Sequence, residues 1–500
     1  MHDKKHMNMR KIICLCTLFF LLIPTHFFSQ KTSLNTDIPL TPAFVFVPNE
    51  NMQVEGDLPL SSYDLIRASL LFSSCPLDSE RGIKTLLLFS EMAQEVNSPE
   101  YRQMTAYDRG EAILRLMYRN TLKTYKMAES NMDTLFLEGV YNCVSSSVLY
   151  YTLAKAAGLK VTAYKTVNHS FCSVSTEKGE IDVETTNPYG FDPGVKKTLP
   201  STGSNGNSYA VVPKSYYNDK IKISDKLLVA LIGGNNSSLA MQKNNYKLSI
   251  PLTMARLAFV GETVTSGGKE LKNEVDITCT NYVYYLQNQR LYKDALTWLS
   301  KAISQIPTSP IWQECIDTTV YNYITYYLNK GDIEEAQNAY NTWIDVLSEK
   351  TRDQIPLNIF IGQLNTEPYS MTPDKALDYL DTMARNPLAQ TTEGKTVLLR
   401  TKEYFWQEKI KPLVAQQLFF EAATVADQGL QDIPSSALLL SLKKQCLNNH
   451  AVLIHNQYAT LFNQGKYQEA LELLQRGIKE VPGNTTLLSD INRVQRALGN

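Results

Sequence analysis

An α+β domain followed by an all-α helical-repeat array is the fold class that this 500-residue sequence predicts, and three features predict it. Around residues 143–186 a helical pattern gives way to alternating strand patterns joined by a turn. In the C-terminal half one spacing of small and large apolar residues recurs. Hydrophobic residues make up 43% of the chain and charged ones 20%, which suits packed cores and argues against disorder. The boundaries read as an export signal at 1–30, a mixed α+β domain at 31–232 and helical repeats at 233–500. A formal net charge of -1, with no long basic run, supplies no electrostatic footprint for nucleic acid.

At the N-terminus, Lys4, Lys5, Arg10 and Lys11 precede an apolar stretch from Ile12 to Phe28. Thr17, Pro24, Thr25 and His26 interrupt it, so it reads as an export signal ending near Gln30 instead of a membrane span. The mature chain is then periplasmic or extracellular. Phe28 and Gln30 are large for a cleavage site, which leaves a signal-anchored form open. Cys14 and Cys16 lie at the start of the apolar run, the wrong end for lipidation, and no later segment reads as a membrane span. Beyond the signal, cysteines stand at 75, 143, 172, 279, 315 and 446. They form no C-x-x-C pair and have no histidine cluster beside them, which argues against zinc, while export permits disulfides without fixing their pairing.

The stretch DIPLTPAFVFVPNE looks extended, an edge strand with proline at its ends. SSYDLIRASLLF follows as a helix opened by serine, and YDRGEAILRLMYRNTLKTY as another with Ile113, Leu114, Leu116 and Met117 at helical spacing. In EGVYNCVSSSVLYYTLAKAAGLKV, Val144, Val148, Leu149, Tyr151 and Leu153 give a broad apolar face and Gly158 a left-handed stop. Cys143 therefore falls at a helix N-terminus, where unpaired N–H groups and the helix dipole stabilise a thiolate and a developing oxyanion. Next, VTAYKTVNHSFCSVS reads as a strand, EKGE as a turn and IDVETT as a returning strand.

His169 opens the first strand of that hairpin, 26 residues after Cys143. It is the sole histidine between the signal and residue 450, so a thiol nucleophile here has one available base. Asp182 and Glu184 alternate with Ile181 and Val183, so both acids share a face and either approaches the imidazole across the ladder. The acid would orient the ring and stabilise the imidazolium without taking its proton. Singly, a cysteine reads as a small buried hydrophobe and a histidine as a satisfied structural group; jointly, at this spacing, they favour a triad. Cys172, facing away from His169, reads as core, and Asp192, after the Asn187-Pro188-Tyr189-Gly190 turn, as a loop acid.

The order of cysteine at a helix start, histidine on a strand and acid on the next strand resembles the transglutaminase-like superfamily of papain-related folds. YNCVSSSVLYYTLAKAAGL, NHSF and VETTNP are similar to its bacterial members, over roughly residues 105–195. The resemblance implies Cys143 as nucleophile, His169 as base and Glu184, beside the threonines of ETT, as the acid, with Asp182 second choice. Many members have H-x-W where Phe171 stands here, a departure that counts against true transglutaminase activity more than against the fold.

From Val195 to Asp219 the chain turns to Lys, Gly, Ser and Asn, a loop that reads as a surface connection, with a flap over the cleft as the alternative. Beyond it Tyr467, Ala470, Leu474, Ile478 and Pro482 set a frame that Tyr292, Ala295, Leu299, Ile303 and Pro307 share, as do Phe419, Ala422, Ala426, Leu430 and Pro434. Partial copies centre on Ala336, Ala376 and Ser249. The centres lie 46, 41, 40, 46 and 48 residues apart, longer than the roughly 34 of tetratricopeptide repeats, which predicts longer helices or turns. A small residue lets two helices approach, large apolar residues fill the groove, and proline ends the second helix. The frame resembles the tetratricopeptide family, best at residues 455–484, and implies a surface that docks proteins or peptides, or else a brace for the first domain.

Together these features predict an exported thiol-dependent acyl-transfer enzyme, a peptidase or amidase, with no cofactor and no metal. A catalytically inactive transglutaminase-like scaffold that binds proteins or peptides in the cell envelope is the alternative.

Overall fold

The computed structural model describes residues 36–48, 60–193, 217, 219–261, 268–306 and 309–499. The chain divides into two units, Met1–Ile38 and Pro39–Asn500. Of the first, residues 36–38 are described, with the Ile38 N–H donating to the Thr36 carbonyl at 3.1 Å. The export signal expected at 1–30 lies outside the described residues, as does most of the loop expected at 195–219.

The second unit opens on an extended segment that joins no sheet. The Ala43 N–H donates to the Pro251 carbonyl at 2.8 Å, and Phe44 and Phe46 meet Phe72 and Phe259 edge-on at 4.8 and 5.4 Å. The expected edge strand is thus a strap on helices. Pro39, Pro42 and Pro48 leave it too few N–H groups for a ladder, and its phenylalanines find helix faces instead. Helices α1 (Ser62–Phe72), α2 (Glu80–Val96), α3 (Pro99–Gln103) and α4 (Ala106–Asn120) follow. Ser61, Ser79 and Thr105 cap α1, α2 and α4 by accepting the N–H of Asp64, Gly82 and Asp108.

A two-residue parallel pair, β1 (Thr124–Tyr125) with β2 (Val140–Tyr141), flanks α5 (Met132–Glu138) and leads into α6 (Cys143–Ala156). An antiparallel sheet then forms from β3 (Val161–Lys165), β4 (Ser170–Thr176), β5 (Gly179–Val183) and β6 (Ile221–Ile223), in the order β5-β4-β3-β6. The stretch expected to be one strand, VTAYKTVNHSFCSVS, is two. The chain reverses at Thr166–His169, where the Thr166 N–H donates to the His169 carbonyl at 2.8 Å. β-Branched Thr166 and Val167 disguise the turn in the sequence, yet Val167 is 97% exposed. In register, Ala163, Cys172 and Val183 face α6, and Tyr164, Phe171, Ser173 and Asp182 lie on the opposite face of the sheet.

Helix α6 is the hub of this half. It packs on α1, α2, α4, β3 and β4, and its side chains from Val144 through Tyr150 are buried, as are Thr152 to Ala154. Its expected apolar face is therefore nearly a full circumference, with Tyr150 buried and donating to the Gly110 carbonyl at 3.1 Å. Each fully buried Val or Leu contributes roughly 1.5–3 kcal/mol, so this helix is fixed in place by its own packing. Gly158, at φ 76°, ends it as expected.

The rest is helical: α7 (Asp225–Gln242), α8 (Tyr246–Val260), α9 (Gly268–Asn288), α10 (Tyr292–Gln305), α11 (Pro310–Leu328), α12 (Ile333–Trp343), α13 (Glu349–Thr366), α14 (Pro373–Met383), α15 (Thr392–Ala415), α16 (Phe419–Asp432), α17 (Ala437–Asn463), α18 (Tyr467–Glu480) and α19 (Thr485–Leu498). Successive helices pack on one another, α13 and α14 through the turn Glu367–Ser370. Every copy of the sequence frame falls on an even-numbered helix, and its central residue, Ser249, Ala295, Ala336, Ala376, Ala422 or Ala470, is 0% exposed. The odd-numbered partners set the spacing: α13, with 18 residues, lies in the 40-residue interval and α17, with 27, in the 48-residue one. Pro434 and Pro482 stand just past α16 and α18, while Pro307 lies outside the described residues. The expected boundary at 232/233 falls inside α7, which packs on α1, α6 and α8 alike.

Candidate active site

Asn142 makes the helix start on which the site depends. Its side-chain oxygen accepts the N–H groups of Val144 and Ser145 at 2.9 and 3.1 Å, and its own N–H donates to Ser145 Oγ at 3.0 Å, a reciprocal capping box. Its amide nitrogen donates to the Met127 carbonyl and to Ser130 Oγ at 3.0 and 2.7 Å. A buried asparagine with every bond made fixes the first turn, and Cys143 is the first residue of that turn. Among the described residues no acceptor takes the Cys143 N–H, so it alone of the first three helix amides stays open. The several backbone donors expected for an oxyanion reduce to that one, because the asparagine cap consumes the others.

The turn at Thr166–His169 sets the imidazole over the helix start. His169 Nε2 lies 2.7 Å from Glu184 Oε2, and Cys143 lines the same cleft as this ring. Phe171 stacks on the ring at 6.2 Å with 16° between the planes and is itself fully buried. Glu184 is held from both ends: Oε1 accepts the Thr186 N–H and hydroxyl at 3.0 and 2.6 Å, and Oε2 accepts the Tyr217 hydroxyl beside His169. Its backbone N–H donates to the Gly190 carbonyl at 2.8 Å, and a Cβ on Gly190 would stand 2.0 Å from the Glu184 carbonyl, so the turn admits glycine alone.

Electrostatics follow from this cradle. Burial works to lower the His169 pKa, but the neighbouring Cys143 and Glu184 side chains overcome it and push it up to about 10. Burial likewise works to raise the Glu184 carboxyl, and the His169 bond and charge, with Thr186 and Tyr217, hold it below the usual carboxylate range. An ionised carboxylate only accepts, so Nε2 carries the proton. Tyr217 is raised by burial and by the Glu184 charge. The arrangement stabilises an imidazolium beside a sulfur, in a cleft of about 520 Å³ that Met127, Val144, Lys165, Leu231 and Asn235 also line.

Of the expected residues, the structure brings Cys143, His169 and Glu184 together and leaves Asp182 out. Asp182 pairs with Lys220 at 2.9 Å on the outer face of the sheet. Asp192 bonds the Tyr107 hydroxyl at 3.2 Å, and Cys172 is buried against the Ser147 carbonyl. The six cysteines among the described residues are free, and burial pushes the thiols of Cys75, Cys172, Cys279, Cys315 and Cys446 up. The roles of Asn142 and Tyr217 were not anticipated, whereas Thr186 is one of the threonines beside Glu184. An asparagine before an apolar helix is a readable cap signal, whereas Tyr217 stands in a polar loop with nothing to mark it. Among the described residues no helix is long and apolar enough to cross a membrane.

No family model matches the chain, and no curated protein does. Among solved structures, a crystal structure of menin that reveals the binding site for Mixed Lineage Leukemia protein aligns with 68% of this chain and 77% of its own, at 13% identity and a TM-score of 0.28. Neither a shared fold nor a shared function follows from a likeness at that level.

Proposed function

We propose that this chain is an exported thiol-dependent acyl-transfer enzyme, a peptidase or amidase acting on a protein or peptide amide. A transglutaminase-like, papain-related domain carries the reaction, and tetratricopeptide-like repeats dock the partner or substrate. The observation that supports it is one ring: the His169 imidazole, 2.7 Å from a buried carboxylate, lines the same cleft as Cys143 at the helix start. The Cys143 thiol gives its proton to His169, and the sulfur adds to the amide carbonyl, forming a C–S bond as the carbonyl electron pair moves to oxygen, where the Cys143 N–H donates. Collapse expels the amine, which takes the proton of the His169 imidazolium. Water then gives a proton to His169 and attacks the thioester, releasing the acid and restoring the thiolate. No cofactor enters these steps. Phe171, where the family often has tryptophan, favours water over a lysine amine as the acceptor.

Iodoacetamide tests the reading. An ordinary thiol titrates near a pKa of about 8.5 and is almost wholly protonated at mildly acidic pH. There Cys143 should be alkylated faster than glutathione, and His169→Ala should abolish the advantage. Labelling of Cys143 no faster than glutathione rules the activated thiol out. One observation favours a second reading, a non-catalytic peptide-binding scaffold: Asn142 consumes two of the helix-start donors an oxyanion needs. Under that reading no peptide or ester substrate is turned over by the wild-type chain and not by Cys143→Ala.

A further inference from the structure

A second cavity, of about 270 Å³, adjoins the catalytic cleft, and Leu231 and Asn235 of α7 line both. Asn235 also ties it to the helix start, because its amide nitrogen donates at 2.7 Å to Ser130 Oγ, the oxygen that receives the Asn142 amide. Arg256 of α8 lines this cavity and is 4% exposed. A guanidinium at that depth requires partners. Nε donates to the Ala230 carbonyl at 2.8 Å and one terminal nitrogen meets Glu274, while among the described residues the other terminal nitrogen donates to nothing. Gly234 keeps that end bare: a Cβ there would stand 2.9 Å from Nη2.

Glu274 meets Arg256 from the solvent side, with its side chain 45% exposed. One turn earlier on α9, Glu270 pairs with Lys165, the lysine of the catalytic cleft, and is 64% exposed. Both cavities thus contain a cation neutralised by a solvent-facing carboxylate of the same helix. Such a carboxylate exchanges readily with another, and the planar guanidinium fork matches a carboxylate through two parallel bonds.

We propose that Arg256 receives a carboxylate of the substrate in exchange for Glu274, so that the site selects peptides carrying an acidic residue or a free C-terminus beside the bond presented to Cys143. The proposal rests on the acyl-transfer reading for the chemistry, but the binding it asserts is measured without it. Alanine pentapeptides with one Glu scanned through every position, and their Gln twins, each as amide and as free acid, are titrated calorimetrically against the full chain carrying Cys143→Ala. In at least one register the Glu amide should bind about tenfold tighter than its Gln twin. Selectivity shown by the free acids alone would instead assign the pocket to a C-terminal carboxylate. Glu274→Gln should widen the preference severalfold, and Arg256→Gln should remove it. No preference in any register, or one that Glu274→Gln leaves unchanged, overturns the proposal, and the second outcome decides it even if Arg256→Gln does not fold. A carboxylate preference in a chain whose Cys143 labels no faster than glutathione retains the binding site and removes the chemistry.

Discussion

Tyr217 and His169 meet on one carboxylate oxygen: phenol and imidazole both bond Oε2 of Glu184, and their rings stand edge to face at 6.2 Å. The phenol comes from far along the chain yet completes the four donors that keep a wholly buried carboxylate ionised. Tyr217→Phe keeps the ring and deletes one of them. A hydrogen bond to a charged group contributes about 1.5–3 kcal/mol, so the urea midpoint at neutral pH should fall by that free energy divided by an unchanged slope. The variant should also lose stability earlier on acidification, because the Glu184 carboxyl is then less depressed. An unaltered midpoint would mean that the phenol is incidental to the cradle.

The His169 and Glu184 pair predicts opposite pH limbs. The folded His169 pKa is raised from 6.5 to about 10, so its contribution is complete below about 6.5, declines as pH rises and is gone above 10. Glu184 is depressed from 4.5, so its contribution is present above 4.5 and lost as pH falls below it. Wild type minus His169→Gln should therefore be largest between pH 4.5 and 6.5, at about 3–5 kcal/mol for breaking a buried pair. Imidazole NMR checks the cause: the His169 titration midpoint should drop on Glu184→Gln and, separately, on Cys143→Ala. A midpoint near 6.5 in the wild-type chain would remove the ion pair from the account.

How much of this was legible in the sequence depends on the range of the physics involved. Cys143 at a helix start and the small central residue of each helical frame are local patterns of one helix, and both were readable. So was the pairing of Glu184 with His169, since strand alternation put the acid on the right face; the preference over Asp182 came from the neighbouring threonines, and Thr186 does bond the carboxylate. The turn at Thr166–His169 was hidden because β-branched residues favour strand wherever they stand, and here the requirement to return His169 to the helix start overrode propensity. Tyr217 and Arg256 act across distant chain segments, which no periodicity records. Gly233 and Gly234 in the middle of α7 look like a break, yet they are there because Phe72 and Arg256 need the space of a missing Cβ.

Asn142 carries two separable duties, and substitution should separate them. Asn142→Ala removes the cap and the donors to Met127 and Ser130 together, a loss of about 2 kcal/mol or more in a buried setting. Asn142→Ser restores an accepting oxygen at the cap but not the amide donors, and should recover about 1 kcal/mol of it. Both should slow iodoacetamide labelling of Cys143, the alanine variant more, because the first turn no longer holds the sulfur under the imidazole. Equal losses for the two variants would show that the amide donors, and not the cap, position this turn.

The helical frame makes a local prediction at the far end of the chain. Ala470 is 0% exposed, in the α18 turn that packs with Ile454, Tyr458 and Leu487. Ala470→Leu forces extra carbons into that crossing, and overpacking of this kind costs about 1–3 kcal/mol. Gly477→Ala is the control on the same helix. Its new Cβ would meet two side-chain carbons of Ile454, at 2.7 and 3.0 Å, and one of Leu487 at 3.5 Å, and the gain in helix propensity, about 1 kcal/mol, offsets these contacts, so this variant should be near neutral. In a stack where each helix touches mainly its neighbours, the damage from Ala470→Leu should stay nearby. Amide hydrogen exchange should quicken in α17 to α19 and remain unchanged in α6, with Cys143 labelling at its wild-type rate. Faster exchange in α6 as well would show that residues 39–500 open as one cooperative body and that the repeats brace the site instead of merely adjoining it.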